Sequence, residues 1–237
     1  MATYVVEDSE EKRLLMGHAS PNRTSSIVTM DLDSCSIQSS SRAEEDLPTD
    51  ISDEVATEQL HELRYNELLR RSHQEDLSSI EETNCVYKAG FDKHGRTVIV
   101  FIGKWFKQSE IDLDKALLYL IRLVHEVADH DYVVAYFHTR TSRDNIPSYW
   151  WIKEVYNTVT YKYKKHLKAF YIVHPTMWTK MTCWWFSTFM APAIKNKIQN
   201  IPALEMLTPF VDQKEMSLPM FITEQDMVFN GIRYYKP

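Results

Sequence analysis

The spacing of hydrophobic residues changes along the chain, and it predicts which segments form strands and which form helices. Three short runs, Val98 to Ile102, Val133 to Phe137 and Ala169 to Val173, are almost continuously apolar. A strand without polar alternation is covered on both faces, as the parallel strands of an α/β sheet are. Helical patterns separate the runs, so each connection is predicted to be a right-handed crossover between parallel strands.

The connections between these runs carry apolar residues at the spacing of a helix. Ser109 is the candidate N-cap of a helix whose wide apolar stripe extends from Ile111 to Val127. Pro147 suits the first turn of a second helix, which we expect to end near Tyr163. Ahead of the first apolar run, Asp92 to Arg96 include a glycine and predict the turn of a β-hairpin. Together the patterns predict an α/β fold.

The N-terminal part of the chain differs from this body. Residues 1–48 show little periodicity and are rich in Ser, Asp and Glu, a composition that buries too little apolar surface to fold. Asp50 or Ser52 is then a candidate N-cap, and helical spacing continues toward Gln74 through Ile51, Val55, Leu60, Leu63 and Leu68. We therefore expect a disordered acidic arm (1–48), an amphipathic helical lead-in (49–82) and a main domain (83–237).

Charge is distributed unevenly between these parts. Residues 1–83 contain 19 Asp+Glu against 7 Lys+Arg, a net charge of −12, whereas residues 84–237 carry +6. The whole chain has a net charge of −6, and it contains no recognised nucleic-acid-binding module. A nucleic-acid partner is therefore not expected.

Several features predict a cytoplasmic protein. The chain begins with acidic residues where a secretory signal has a basic start and an apolar run. Its charge-free stretch from Met181 to Ile194 is shorter than the about 20 residues that cross a membrane, although it is long enough to contact one. Cys35, Cys85 and Cys183 are far apart and form no CxxC pair, which fits a reducing compartment. We expect a cytoplasmic protein with peripheral membrane contact.

Motifs for catalysis, cofactors and metals are absent from the sequence. The histidines of HEVADH, His125 and His130, are five residues apart instead of the four that place both on one helical face. The five glycines are too scattered for a phosphate-binding loop. His138 is the best placed catalytic candidate, at the end of a predicted strand, but a hydrogen-bonded structural histidine is the favoured interpretation. We assign no catalytic residue, no cofactor and no metal.

A lysine cluster, YKYKKHLK, spans Tyr161 to Lys168 and contains Lys162, Lys164, Lys165 and Lys168. Lysines at this density attract the acidic head groups of a membrane surface. They also occur at solvated helix ends, where they complement the helix dipole, and residue chemistry alone favours this second interpretation.

The segment HPTMWTKMTCWWFSTFMAPAIKNKI, which follows the last apolar run, is unusually rich in aromatic residues and methionine. As a helix after Pro175, it places Met177, Met181, Trp184, Trp185 and Thr188 on one face. Its adjoining face carries Trp178, Thr182, Phe186 and Phe189. A helix that is apolar over more than half its surface is covered by its own core, a partner, a membrane or an apolar ligand. Core packing is at least as well supported as the other three.

Several of these blocks in one order resemble a known family. GRTVIVFIG, IDLDKALLYLI, YVVAYFHT, YKYKKHLKAFYIVHPT and APAIKNKI are similar to CRAL-TRIO lipid-binding domains of the divergent, BCH-like branch, over roughly Glu67 to Pro237. The resemblance implies a mixed, mostly parallel sheet with flanking helices, an apolar pocket and an aromatic helix that acts as a mobile gate. It also implies a non-enzymatic binding domain for a lipid or another small apolar ligand. The residues expected at the pocket and gate are Met177, Met181, Trp184, Trp185, Phe186 and Phe189.

The same resemblance supports a second function of a different class. BCH relatives bind small Rho-type GTPases, their regulators and one another, so this chain would be a protein-interaction scaffold with the aromatic helix as its docking surface. A relative of this branch carries an ADP-ribose-binding macro domain ahead of its lipid-type domain. Residues 1–48 are too short for that module, so nothing about ADP-ribose binding is carried over to this chain.

Overall fold

The computed structural model describes residues 49–186, 188 and 190–231, with side chains from residue 56 onward except that of Phe186. The strands are β1 (Val86–Phe91), β2 (Thr97–Ile102), β3 (Tyr132–Phe137), β4 (Leu167–Val173) and β5 (Ile198–Ile201). The helices are α1 (Thr49–Gln74), α2 (Ser78–Glu81), α3 (Leu113–Val127), α4 (Tyr149–Thr158), α5 (Tyr161–His166), α6 (Met177–Phe186), α7 (Pro192–Lys195), α8 (Leu204–Leu207) and α9 (Met220–Asn230). The predicted disordered arm, residues 1–48, lies outside the described residues.

The strands form one mixed sheet in the order β1-β2-β3-β4-β5. Strands β1 and β2 are antiparallel, and every later pair is parallel, which confirms the predicted hairpin and crossovers. In the hairpin turn, a carboxylate oxygen of Asp92 accepts hydrogen bonds from the backbone N–H groups of His94 and Arg96, both at 2.9 Å. Gly95 supplies the positive φ of 74° that the turn requires.

This strand order decides where the helices lie. Because each crossover moves one strand further in the same direction and is right-handed, the connecting helices α3 to α7 belong on one face of the sheet, the crossover face. Side chains such as Ile99 and Tyr132 pack there with α3 and α4. The opposite face carries Val98, Val100 and Phe137, which pack against α8, α9 and the turns between them. The apolar runs are continuous because both faces are covered.

Two helix boundaries differ from the sequence prediction. Helix α3 begins after Asp112, whose side chain accepts from the backbone of Asp114 at 2.9 Å, so Asp112 and not Ser109 is the N-cap. The helix expected to reach Tyr163 is divided into α4 and α5, because Val159 is extended, with φ −67° and ψ 120°. Three consecutive β-branched residues at this point weaken the helix.

Of the stripe predicted for helix α1, Leu68 packs against the core, but Leu60 and Leu63 do not. Leu60 and Leu63 are 67% and 66% exposed, whereas Tyr65 is only 3% exposed and packs with Leu68 and Leu69 in the core of the crossover face. The helix lies against α3 through its C-terminal half. The division into a lead-in (49–82) and a main domain (83–237) stays a prediction.

Candidate functional site

A cavity of about 340 Å³ lies between the crossover face of the sheet and the helices above it. Alternate residues of the central strands form its floor, because successive side chains of a strand point to opposite faces. These floor residues are Ile99, Phe101, Val134, Tyr136, Phe170 and Ile172. Side chains of α3 and α4, among them Leu120, Trp151 and Val155, form the side walls. The lining is almost entirely apolar.

Helix α6 closes part of the cavity with the face that carries Trp178, Thr179, Thr182 and Cys183. Among the α6 side chains that the structure describes, only that of Thr179 is buried, at 7% exposure. Its hydroxyl donates to the carbonyl of Thr176 at 2.8 Å and accepts from the Thr176 backbone N–H at 2.8 Å. The helix therefore begins at a well-bonded turn and continues over the cavity with few buried side chains.

The residues predicted for the pocket and gate lie mostly on the other side of this helix. Met177, Met181, Trp184 and Trp185 are 79%, 47%, 67% and 51% exposed and are not among the cavity-lining residues. Trp185 instead stacks edge-on against Tyr149 of α4, with ring centroids 5.6 Å apart. The side chain of Phe186 and all of Phe189 lie outside the described residues. A ligand contact by any of the six stays a prediction.

His138 occupies the carboxyl edge of the sheet, where the sequence placed it, and it lines the cavity. It is 4% exposed, and its Nδ1 and Nε2 lie 2.9 Å and 3.0 Å from the hydroxyl oxygens of Tyr136 and Thr176. Burial lowers the pKa of the imidazole to about 4, so it is neutral near pH 7. With both nitrogens engaged, His138 connects β3 to the turn that begins α6.

A second histidine, which the sequence did not single out, lies in a buried network. Nδ1 of His174 is 2.8 Å from the Thr139 hydroxyl, and Nε2 is 2.9 Å from the Asp226 carboxylate. The same carboxylate oxygen accepts from the backbone N–H of Leu204 at 3.1 Å and from the Asn230 amide at 2.7 Å. The order hydroxyl, imidazole and carboxylate matches that of a hydrolase triad. However, none of the three lines the cavity, and the network instead holds α9 against the carboxyl ends of β3 and β4.

The four lysines of the predicted head-group cluster have different surroundings. Lys162 and Lys168 pair with Asp129 at 3.0 Å and Asp131 at 3.2 Å, and Lys165 is exposed. Lys164 is partly buried and contributes to the lining of the cavity. Burial lowers the pKa of its ammonium group to about 8.

Within residues 49–186, 188 and 190–231, no group of three or more His, Cys, Asp or Glu side chains could hold a metal ion. In that part, no helix combines the length and apolar character needed to cross a membrane.

Comparison with known proteins identifies a matching family and several similar proteins for this chain. Residues 95–228 match the family model described as the divergent CRAL/TRIO domain. The Protein GDAP2 homolog of Drosophila melanogaster is 54% identical over 177 residues, which cover 75% of this chain and 33% of that protein. Human ganglioside-induced differentiation-associated protein 2 is 39% identical over 181 residues, 76% of this chain and 36% of that protein. This chain thus spans about a third of the length of these curated relatives.

Among solved structures, the crystal structure of Sfh5 covers 60% of this chain, and the match covers 55% of that chain. The two chains are 18% identical, and the TM-score is 0.48.

Proposed function

This chain belongs to the divergent CRAL/TRIO domain family, a family of lipid-binding domains, and we propose that it is a non-enzymatic binding domain for a small apolar molecule such as a lipid. The observation that carries the proposal is the apolar cavity between the sheet and α6. Its volume of about 340 Å³ falls within the range of about 300–1,000 Å³ that ligand cavities occupy. Each CH₂ group transferred from water into such a lining contributes about 0.8 kcal/mol.

Helix α6 is the proposed cover through which the ligand enters. A segment with few buried apolar side chains opens at a low free-energy cost, and Thr179 is the buried side chain of α6 among those described. The helix still contributes Trp178, Thr182 and Cys183 to the cavity lining, so a bound apolar ligand adds contacts that favour closure. In this proposal the gate consists of the Trp178 face of α6.

The exposed face of α6 supports a second part of the proposal, contact with a membrane surface during ligand uptake. Trp184 and Trp185 are 67% and 51% exposed, and tryptophan concentrates at membrane interfaces because its ring is apolar and its N–H is polar. We expect Trp184→Ala combined with Trp185→Ala to weaken binding to phosphatidylcholine vesicles with or without phosphatidylserine. Unchanged vesicle binding would argue against membrane contact. It would favour the alternative in which this face of α6 binds a protein partner, as in a BCH-type scaffold. The matched family and relatives give no support to that scaffold.

The cavity assignment is tested by filling the cavity. Cys183→Phe places a ring inside the lining, whereas Lys180→Phe adds the same ring to an exposed position of α6. We expect wild type and Lys180→Phe to bind the neutral apolar probe N-phenyl-1-naphthylamine equally, and Cys183→Phe to bind it at least about tenfold more weakly. Native mass spectrometry of freshly purified protein gives an independent readout through any co-purifying lipid. Equal probe binding by both variants would contradict the proposal.

A further inference from the structure

Lys164 is the exception to the apolar chemistry of the cavity. It is the one lysine or arginine among the described residues that line the cavity, and it lies at the end of α5, just before β4 begins. Its ammonium nitrogen lies 4.2 Å from the centroid of the Tyr156 ring, which is itself a lining residue. The Tyr156 hydroxyl accepts a hydrogen bond from the backbone N–H of Ala191 at 3.0 Å, which fixes the ring.

Lys162, Lys168 and Lys197 have oxygen acceptors beside their ammonium groups, and Lys165 is exposed to solvent, whereas Lys164 is partly buried. Lys162 and Lys168 pair with aspartates, and Lys197 donates to the carbonyl oxygens of Lys164 and Lys165 at 2.8 Å and 3.3 Å. Within the described part of the chain, the ammonium of Lys164 has an aromatic face beside it but no carboxylate. A cation removed from water costs free energy unless an opposite charge compensates it, which is why its pKa is lowered to about 8. An anionic group beside Lys164 would supply that compensation.

The position of Lys164 also orients a ligand. Lys164 lies at the amino end of β4, whereas His138 and Thr179 line the cavity at the carboxyl edge of the sheet. The lining residues Leu167 and Ile172 of β4 pair with Tyr132 and Tyr136 of β3, which are four positions apart and so about 13 Å apart along the strand. The cavity is therefore long and apolar with a cationic group at one end. A volume near the lower limit for ligand cavities suits one alkyl chain better than two.

Resting on the proposed function, we propose that the ligand is a single-chain acidic amphiphile whose carboxylate or phosphate group pairs with Lys164 while its alkyl chain follows β4 toward α6. A carboxylate and a phosphate share the anionic oxygens that accept hydrogen bonds from an ammonium group. The Tyr156 ring and the backbone held by Lys197 position that ammonium group in advance.

The test compares ligands that share a chain and differ in the head group. Dodecanoate, dodecyl phosphate and the neutral dodecanol compete with N-phenyl-1-naphthylamine for wild type, Lys164→Met and the matched surface control Lys165→Met. We expect Lys164→Met to weaken both acids by about tenfold to a hundredfold, because a charge-assisted hydrogen bond is lost. Dodecanol should bind all three proteins alike, and Lys165→Met should bind the acids as wild type does. Acetate and inorganic phosphate, which lack the chain, should not displace the probe.

The outcomes separate this inference from the proposed function. The inference would be overturned if dodecanol displaced the probe from wild type as effectively as both acids do, or if Lys164→Met bound the acids with unchanged affinity. Either result would leave the proposed apolar cavity unaffected. Failure of all three dodecyl compounds and of the probe itself to bind wild type would overturn both. If Lys164→Met loses affinity for dodecyl phosphate alone, the result supports a phosphate head group. If it loses affinity for dodecanoate alone, the result supports a carboxylate. Displacement by inorganic phosphate would overturn the requirement for a chain.

Discussion

Two tryptophans line the cavity, and the contacts of each predict very different losses of stability on substitution by alanine. Trp151 of α4 is 8% exposed, its indole N–H donates to the carbonyl of Leu113 at 3.0 Å, and its ring centroid lies 5.4 Å from that of Phe106. Trp178 of α6 is 50% exposed, and its ring centroid lies 5.7 Å from the guanidinium carbon of Arg143. Trp151 is part of the core, whereas Trp178 belongs to the proposed cover.

The expected losses of unfolding free energy follow from these contacts. Trp151→Ala removes a buried ring, at a cost of about 3–5 kcal/mol, and one hydrogen bond worth about 1 kcal/mol. Trp178→Ala removes a half-exposed ring and an exposed cation–π contact of about 0.5–1 kcal/mol, for a total of about 1–2 kcal/mol. Domains are stable by only about 5–15 kcal/mol, so the first variant is severely destabilised and the second stays folded.

Thermal unfolding with and without N-phenyl-1-naphthylamine measures both effects. For a domain of this size 1 kcal/mol corresponds to about 2–4 °C, so Trp151→Ala should melt about 8–24 °C below wild type. Trp178→Ala should melt only about 2–8 °C below it. Wild type should gain about 2.7 kcal/mol at a probe concentration one hundred times Kd, and Trp178→Ala should lose most of that gain. Equal destabilisation by both substitutions, or a full probe-induced shift in Trp178→Ala, would refute the assignment of α6 as a cover.

Two further predictions concern the buried histidines. The pKa of His138 is lowered from 6.5 to about 4, so its neutral form contributes stability above about pH 6.5 that is lost as the pH falls toward 4. In urea unfolding, the free energy of unfolding should be about 1–2 kcal/mol lower at pH 5 than at pH 7, after solvent screening is allowed for. The non-titrating His138→Gln should reduce this difference. The same difference in His138→Gln as in wild type would argue against a contribution from His138. Asp226→Ala should cost about 3–5 kcal/mol in the same assay because it strands His174 and two N–H donors, whereas the exposed control Glu224→Ala should cost under about 1 kcal/mol. Similar costs for both substitutions would show that the network contributes little.

The sheet was predictable from the sequence, but the ends of the helices were not. Parallel strands covered on both faces are apolar at nearly every position, and Val98 to Ile102 show this pattern in the sequence before the neighbouring strands are known. Helix ends depend on competition between nearby caps. Ser109 lies inside a turn in which the Ile111 N–H donates to the Lys107 carbonyl at 3.0 Å, whereas the Asp112 side chain accepts from the first backbone N–H groups of α3. The break at Val159 is equally local, and it places Lys164 on a short separate helix.

The cavity was harder to predict because its lining comes from segments far apart in the chain. Periodicity assigned Trp178 and Thr182 to one face of α6 and Met181 and Trp184 to another, but a helix that is apolar on both faces does not reveal which one faces inward. The structure turns Trp178 and Thr182 toward the cavity and leaves Trp184 exposed. The burial of Lys164 was also hidden, since four lysines in eight residues resemble a uniform surface cluster until α5 packs beside Tyr156.

The fixed and movable parts of the proposed site meet at one short segment. His174, the residue after β4, has a positive φ of 54° and is bonded to Thr139 and Asp226, so the carboxyl edge is tied to α9 on the opposite face of the sheet. Three residues later α6 begins, and its described side chains are exposed or partly exposed apart from Thr179. An opening movement that starts beyond this edge would leave the sheet and its second layer undisturbed. We therefore expect α6 to pivot near Thr176, whose hydroxyl oxygen lies 3.0 Å from Nε2 of His138, while the floor of the cavity stays in place.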